Sequence, residues 1–261
     1  MTRSTIAPST RTASDLPGLT NQADLTDQPG LTDQPGPTDQ SGPTDQPGPT
    51  GLPGLPDLTA VRLSHRAILV DIARLASLLS AASAPAMPLA RAGAVATYVH
   101  RYHAAVRHQH RGEDELLWPA VAAAAGQALD LSSSAAEHAA LGRLQDSGDE
   151  AAARFAEDPA RHAPGLAALL AEQRDRLIDH VVAEEQRLFP VILHRVSAAR
   201  YAAAEAEFRR STPSDLAAWM LPWLWRYASA DERRVLPPAA VVEPLVAAYA
   251  AHEARTFGHG R

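Results

Sequence analysis

The sequence predicts an all-α protein, in which an up-down-up-down four-helix bundle follows a disordered leader and precedes a C-terminal helical extension. Apolar residues make up 46% of the 261 residues, with aromatic residues at 5%. The apolar residues are mostly Ala and Leu, a balance that favours helix over sheet. From residue 57 onwards, apolar side chains recur every three or four positions in four long segments. Short connections between these segments make antiparallel neighbours the simplest arrangement.

The leader, residues 1–56, is low in complexity and contains a six-residue unit that recurs from Leu25. The successive units are LTDQPG, LTDQPG, PTDQSG, PTDQPG and PTGLPG. Pro and Gly in these units interrupt helices and strands. The few apolar side chains cannot offset the entropy cost of ordering, so we expect disorder. The leader is interpreted either as a linker or interaction tail, or as a repeat expansion without a specific partner.

The four bundle helices are predicted within residues 57–197. Pro85 and Pro88 end the first helix. Ser134 followed by Glu137 has the spacing of a capping box and is expected to open the third helix. The four predicted helices lie near 58–83, 89–125, 135–157 and 164–196.

The C-terminal extension is predicted over residues 198–261, with a first helix capped by Ser197 and ending near residue 210. The WMLPWLWRY run is too aromatic to be left in water, so we expect it to pack on the bundle or to form an oligomer contact. The later part is expected to be helical but interrupted by Pro222, Pro237, Pro238 and Pro244.

Composition and charge exclude several classes of function. The net charge of −6 provides no basic surface for nucleic acid. The absence of cysteine excludes disulfides, thiolate metal sites and Cys nucleophiles. No apolar stretch reaches the roughly 20 residues that span a membrane. The first residues, MTRSTIAPSTR, lack the apolar region of a signal peptide, so a cytoplasmic location is expected.

Every predicted bundle helix has a His on its apolar face, and two of these helices add a Glu. A polar group inside a bundle core is costly unless it is satisfied. One buried His is explained by a hydrogen bond, but this set across four helices indicates a bound cation. Imidazole and carboxylate together favour iron or manganese. The set comprises His65, His110, Glu113, His138, His180 and Glu184.

Helical spacing supports a shared site. Residues His180 and Glu184 are four positions apart, hence about 40° apart around the helix, and can reach one point inside the bundle. Glu113 lies at the centre of the apolar stripe of the second helix. His103, seven residues before His110, is expected on nearly the same face about 10 Å along the axis, as a core residue or a neighbour of the ligands.

These motifs resemble the hemerythrin-like HHE domain family. HRGEDELLWP (110–119) and HVVAEEQRLFP (180–190) are similar to the two His-plus-Glu motifs of that family. SHRAIL around His65 and AAEHAAL around His138 are similar to its single-His helices. The resemblance extends over residues 57–257, because the LPWLW stretch is similar to tails of bacterial members.

The resemblance implies a non-haem di-iron centre bridged by two carboxylates and an oxo or hydroxo group. It implies that His65, His138 and His180 are terminal ligands, while Glu113 and Glu184 are the bridges. It also implies a small partner, namely O₂, nitric oxide or peroxide.

The second helix departs from the family pattern. Gln109 stands four residues before Glu113, where the family usually has His. His110, three residues before Glu113, lies about 60° from the stripe centre on the opposite side from Gln109. Three alternatives follow: His110 replaces the usual ligand, Gln109 coordinates through its carbonyl oxygen, or one iron has one ligand fewer.

Asp114 and Glu185 each follow a predicted Glu ligand by one residue and lie about 100° off the stripe. A solvated position, or a position as acceptor for the outer N–H group of a ligating imidazole, fits that angle better than coordination, which is the remaining alternative.

Three functions are compatible with these features. The first is a metal-binding protein that handles or senses O₂, peroxide or nitric oxide. The second is a regulatory or interaction bundle with a degenerate metal site, a hypothesis motivated by Gln109. The third is a peroxide-removing di-iron enzyme. We favour the first, since the sequence supplies a ligand set but no recognisable substrate pocket.

Overall fold

The computed structural model describes residues 54–81, 83–126 and 131–258. The regular structure in these residues is entirely helical, which confirms the all-α prediction. The predicted leader lies outside them except for its last three residues. The α-helices are α1 (Thr59–Ser80), α2 (Leu89–Gly112), α3 (Trp118–Ala125), α4 (Ser132–Glu157), α5 (Pro159–Arg195), α6 (Ala198–Ser211), α7 (Ser214–Tyr227) and α8 (Ala239–Phe257).

Neighbouring bundle helices run antiparallel, as contacts at two levels of each pair demonstrate. On α2 and α4, His110 stacks on His138, whereas the earlier His103 bonds to the later Asp149. The predicted second helix consists of α2, a π-helical turn at Glu113–Leu117, and α3. Helices α4 and α5 are also antiparallel, because Ser134 contacts Arg187 while the later Leu144 contacts the earlier Gln173. In the same way, Arg62 of α1 contacts Phe189 of α5 while the later His65 contacts the earlier Glu185.

A buried apolar cluster fills one end of the bundle, where α1 begins, α3 ends the second helix, and α5 leads into α6. Trp118, Leu188 and Ile192 are at most 1% exposed there. The packing of these side chains keeps water away from the polar interior beside them. The cluster also includes Leu58, Val61, Leu117, Val121, Phe189, Val196 and Tyr201.

The predicted capping box is wrong. Helix α4 begins at Ser132, so Ser134 lies inside its first turn. The Ser134 hydroxyl accepts a hydrogen bond from Arg187 (2.6 Å), and the Glu137 carboxylate accepts one from His180 Nδ1 (3.1 Å). Both side chains of the proposed box are therefore engaged by α5, a tertiary contact that local spacing does not reveal.

Two of the four prolines expected to interrupt the extension do not. Pro222 lies inside α7 and Pro244 inside α8, although Pro237 and Pro238 do separate the two helices. An interior proline costs about 3 kcal/mol. Burial of a large apolar side chain contributes about 1.5–3 kcal/mol. Trp219 and Trp223, which flank Pro222, are both buried, and their burial offsets that cost.

The extension packs on the bundle through α7 and α8, which contact α1, α2 and each other, and through α6, which contacts the π-helical turn and α3. The described residues contain no helix with the combined length and apolar character needed to cross a membrane.

Candidate metal centre

The six predicted ligands meet inside the bundle as two groups. In each group, one ligand atom per residue lies within 4.8 Å of the others. All six side chains are buried, each with at most 6% of its surface exposed. The first group, here called the three-His group, is His110, His138 and His180; the second, called the His–Glu group, is His65, Glu113 and Glu184.

The two carboxylates face both groups. Glu113 Oε1 is 3.7 Å from His65 Nε2, and its other oxygen, Oε2, is 3.7 Å from His138 Nε2. Glu184 Oε2 is 3.6 Å from His65 Nε2 and 3.4 Å from His180 Nε2. Each carboxylate is thus placed to contact a cation in either group.

A second ring of carboxylates orients three of the histidines from outside. In each case Nδ1–H donates to a carboxylate oxygen, which directs Nε2 into the site, where it can coordinate a cation once it carries no proton. The pairs are His65 with Glu185 (2.9 Å), His138 with Asp114 (2.9 Å) and His180 with Glu137 (3.1 Å).

Two of these outer carboxylates, Asp114 and Glu185, are the residues that the sequence proposed for this role. The third, Glu137, was assigned to a capping box instead. Its position directly before His138 in the sequence hinted at a role in the site, but the histidine that Glu137 contacts, His180, lies on another helix.

The donor set fits a cation. Among the described residues, Glu113 Oε2 and both carboxylate oxygens of Glu184 are buried without a hydrogen-bond partner. His138 Nε2 and His180 Nε2 are only 3.2 Å apart. Bare oxygens and facing lone pairs are costly in a dry interior, and a cation between them would satisfy all of them.

The pKa values of the buried groups reflect the same demand for positive charge. Burial lowers the pKa of His65, but the neighbouring carboxylates of Glu113 and Glu185 outweigh it and raise the value to about 10. Burial raises the pKa of Glu113, yet the positive charge of the neighbouring His65 brings it to about 2. Burial and the charge of Glu113 raise the pKa of Glu184 well above its usual range. Burial lowers the pKa of His110 to about 3, so its imidazole is neutral, as a metal ligand must be.

Comparison with known families agrees with this geometry. The profile of the family described as "Hemerythrin HHE cation binding domain" matches residues 57–192, just over half of the chain. The chain belongs to this hemerythrin HHE family. The matched domain is therefore a cation-binding domain by family. No curated protein and no solved structure matches the chain.

The hemerythrin HHE match ends within α5, so it contains all six candidate ligands. Helices α6 to α8 lie beyond the matched residues.

Gln109 and His110 lie on opposite sides of Glu113. Gln109 Nε2 donates to Glu113 Oε1 at 2.6 Å, the oxygen that faces His65. The His110 ring stacks on that of His138, with centroids 4.2 Å apart and planes within 5°. His110 therefore joins the three-His group, while Gln109 borders the His–Glu group, where the hemerythrin HHE pattern would have a histidine.

The π-helical turn Glu113–Leu117 begins at a candidate ligand and was not predicted. The Trp118 N–H donates to the Glu113 carbonyl, five residues back, instead of four. Single π turns within α-helices are frequent at functional sites. Helical periodicity does not reveal this turn, because a rotation of about 100° per residue holds only for a regular α-helix. Pro119, which has no N–H, is a local signal for it in the sequence.

His103 belongs to neither group. It is fully buried one heptad from His110, where Nδ1 contacts Asp149 (2.6 Å) and Nε2 contacts Gln173 (2.8 Å). Both ring nitrogens are occupied, which makes His103 a core residue with satisfied hydrogen bonds.

Proposed function

We propose that the two groups hold two iron ions, with manganese as the alternative metal, and that the protein binds or senses O₂, nitric oxide or peroxide there. The observation that carries the proposal is the placement of Glu113 and Glu184. Their buried oxygens face both groups, and three of these oxygens have no hydrogen-bond partner among the described residues. Carboxylates between paired metal ions are the usual arrangement in di-iron bundles.

Iron bound here would supply redox chemistry and an open coordination position for a small ligand. The residues of the chain hold the ions and orient the imidazoles through the outer carboxylates. Phe189, whose ring is parallel to that of His65 at 6.1 Å, and the apolar cluster beside it exclude water. Binding or sensing needs only this ligand set, whereas turnover also needs a group that positions a substrate. We therefore place binding or sensing before dedicated catalysis.

The experiment is iron analysis with near-ultraviolet and visible spectroscopy on protein purified in air. We expect about two iron ions per chain. His180→Ala should lose most of the iron, because this side chain contacts both His138 and Glu184. The control is His100→Ala on α2, an exposed histidine that bonds to Asp149 outside the site and should keep full iron content. Absence of iron after reconstitution of the parent protein would refute the proposal.

The second candidate is a regulatory bundle with a degenerate site, which the presence of Gln109 beside the His–Glu group supports. In that case His180→Ala would bind as much metal as the parent. A peroxide-removing enzyme would instead accelerate peroxide decay when iron-loaded, and Glu184→Ala would abolish that activity.

A further inference from the structure

A cavity of about 230 Å³ lies between the bundle and the C-terminal extension. Its walls are largely apolar and come from α1, from the second bundle helix, and from α6, α7 and the segment before α8. More than half of the lining residues follow residue 192, so the hemerythrin HHE match does not account for this cavity. Representative wall residues are Leu63, Leu117, Phe208, Met220 and Leu224.

We propose that this cavity binds an uncharged, mostly hydrocarbon molecule of about ten non-hydrogen atoms. The size follows from volume, because an apolar protein cavity of about 150 Å³ accommodates one benzene molecule. The preference for an uncharged molecule follows from the lining, which is largely apolar: its two charged side chains, Glu205 and Arg209, are of opposite sign and lie 3.8 Å apart on one wall. An ion entering this apolar space would lose its hydration without gaining a free counter-charge.

The wall formed by α6 is held tightly against the bundle. A Cβ added to Gly112 would lie 2.1 Å from Phe208 Cδ2, so the glycine permits this ring to touch the α2 backbone. The Phe208 ring also stacks on His108, with centroids 4.8 Å apart, and His108 Nε2 bonds to Thr212 at 2.9 Å. These contacts fix the position of α6 against the bundle, so the packing of the helices defines the shape of the cavity.

Gln109 connects the cavity to the candidate metal centre. Gln109 lines the cavity and is itself 3% exposed. Its Nε2 donates to Glu113 Oε1 at 2.6 Å. The inner end of a bound molecule would therefore lie one side chain away from the His–Glu group. Binding does not require metal, so this inference goes beyond the proposed function and stands independently of it.

The test is calorimetric titration of the full chain, as purified, with 1-octanol. The informative variant is Ala217→Phe, which fills the cavity from α7. The matched control is Ala218→Phe, because the neighbouring Ala218 is exposed and does not line the cavity. We expect saturable binding by the parent and by Ala218→Phe, and binding about tenfold weaker or more for Ala217→Phe.

Octanoate, of the same chain length, tests the charge preference and should bind at least about tenfold more weakly than octanol. The His180→Ala variant should retain octanol binding, because His180 does not line the cavity. A failure of the iron proposal would therefore not change the expected result of this titration. The inference is overturned if the parent shows no saturable binding, if Ala217→Phe and Ala218→Phe bind alike, or if octanoate binds as tightly as octanol.

Discussion

At the scale of single residues, the outer carboxylates determine how the imidazoles face the site. Glu137 is half exposed, with 50% of its side chain accessible, yet it contacts the deeply buried His180. Its effect is positional, because accepting the Nδ1 proton holds Nε2 toward the three-His group. Substitution of such outer partners typically weakens metal binding about 10–100-fold.

We therefore predict that Glu137→Ala lowers iron affinity about 10–100-fold, as measured by competition with a chelator. The control is Glu150→Ala on the same helix, where the side chain is 75% exposed and pairs with Arg154, away from the six candidate ligands. Equal affinities of the two variants would contradict the proposed orienting role of Glu137.

At the scale of elements, the close contact of α6 with α2 depends on the absence of a side chain at one position. Gly112 faces the Phe208 ring, whereas Gly142 on α4 has no atom within 4 Å of an added Cβ. The same Gly-to-Ala change thus meets a packed ring at one position and open space at the other. Glycine inside a helix also costs about 1 kcal/mol relative to alanine, a gain that both substitutions share.

Gly112→Ala should destabilise the protein by about 1–3 kcal/mol in urea denaturation, because it overpacks the α2–α6 contact. Gly142→Ala should be neutral or stabilising by up to about 1 kcal/mol. Adding Phe208→Ala to Gly112→Ala should remove the clash and recover part of the loss. Equal stability of Gly112→Ala and Gly142→Ala would refute the close contact between Gly112 and the Phe208 ring.

At the scale of the whole molecule, one buried carboxylate joins the bundle to the extension. Asp71 on α1 is fully buried and receives hydrogen bonds from helices distant in sequence. Its network joins α1, α2 and α7, and reaches α8 through Tyr249, which bonds to Tyr98. The donors are Tyr98 (2.5 Å), Trp223 Nε1 (2.7 Å), Arg74 (2.7 Å) and Tyr227.

Asp71→Ala should lower the free energy of unfolding by about 3–5 kcal/mol, because it leaves the donors of Tyr98, Trp223 and Tyr227 without their acceptor. It also removes one of the two carboxylates that pair with Arg74, the other being Glu253. Urea denaturation measures this loss. Asp175→Ala, at a side chain that is 62% exposed, is the control and should change stability by no more than about 0.5 kcal/mol. A loss in Asp71→Ala as small as that of the control would show that this network does not stabilise the junction.

Sequence reasoning was enough to predict the helical class, the approximate bounds of the bundle helices and six residues that the fold brings together as candidate ligands. These features depend on local spacing, since apolar periodicity and His-to-Glu intervals place side chains on one face of one helix. The tail after residue 211 was less predictable, because buried tryptophans outweigh the local effect of Pro222.

How those faces meet became known from the packing of the helices against one another. In the structure, His110 lies in the three-His group and Gln109 lies beside Glu113. Glu137 bonds to His180 instead of capping a helix, and the cavity forms against α6 and α7. Each outcome depends on distances between different helices. Spacing along one helix defines which side chains share a face, but it contains no information about the neighbour that the face will contact.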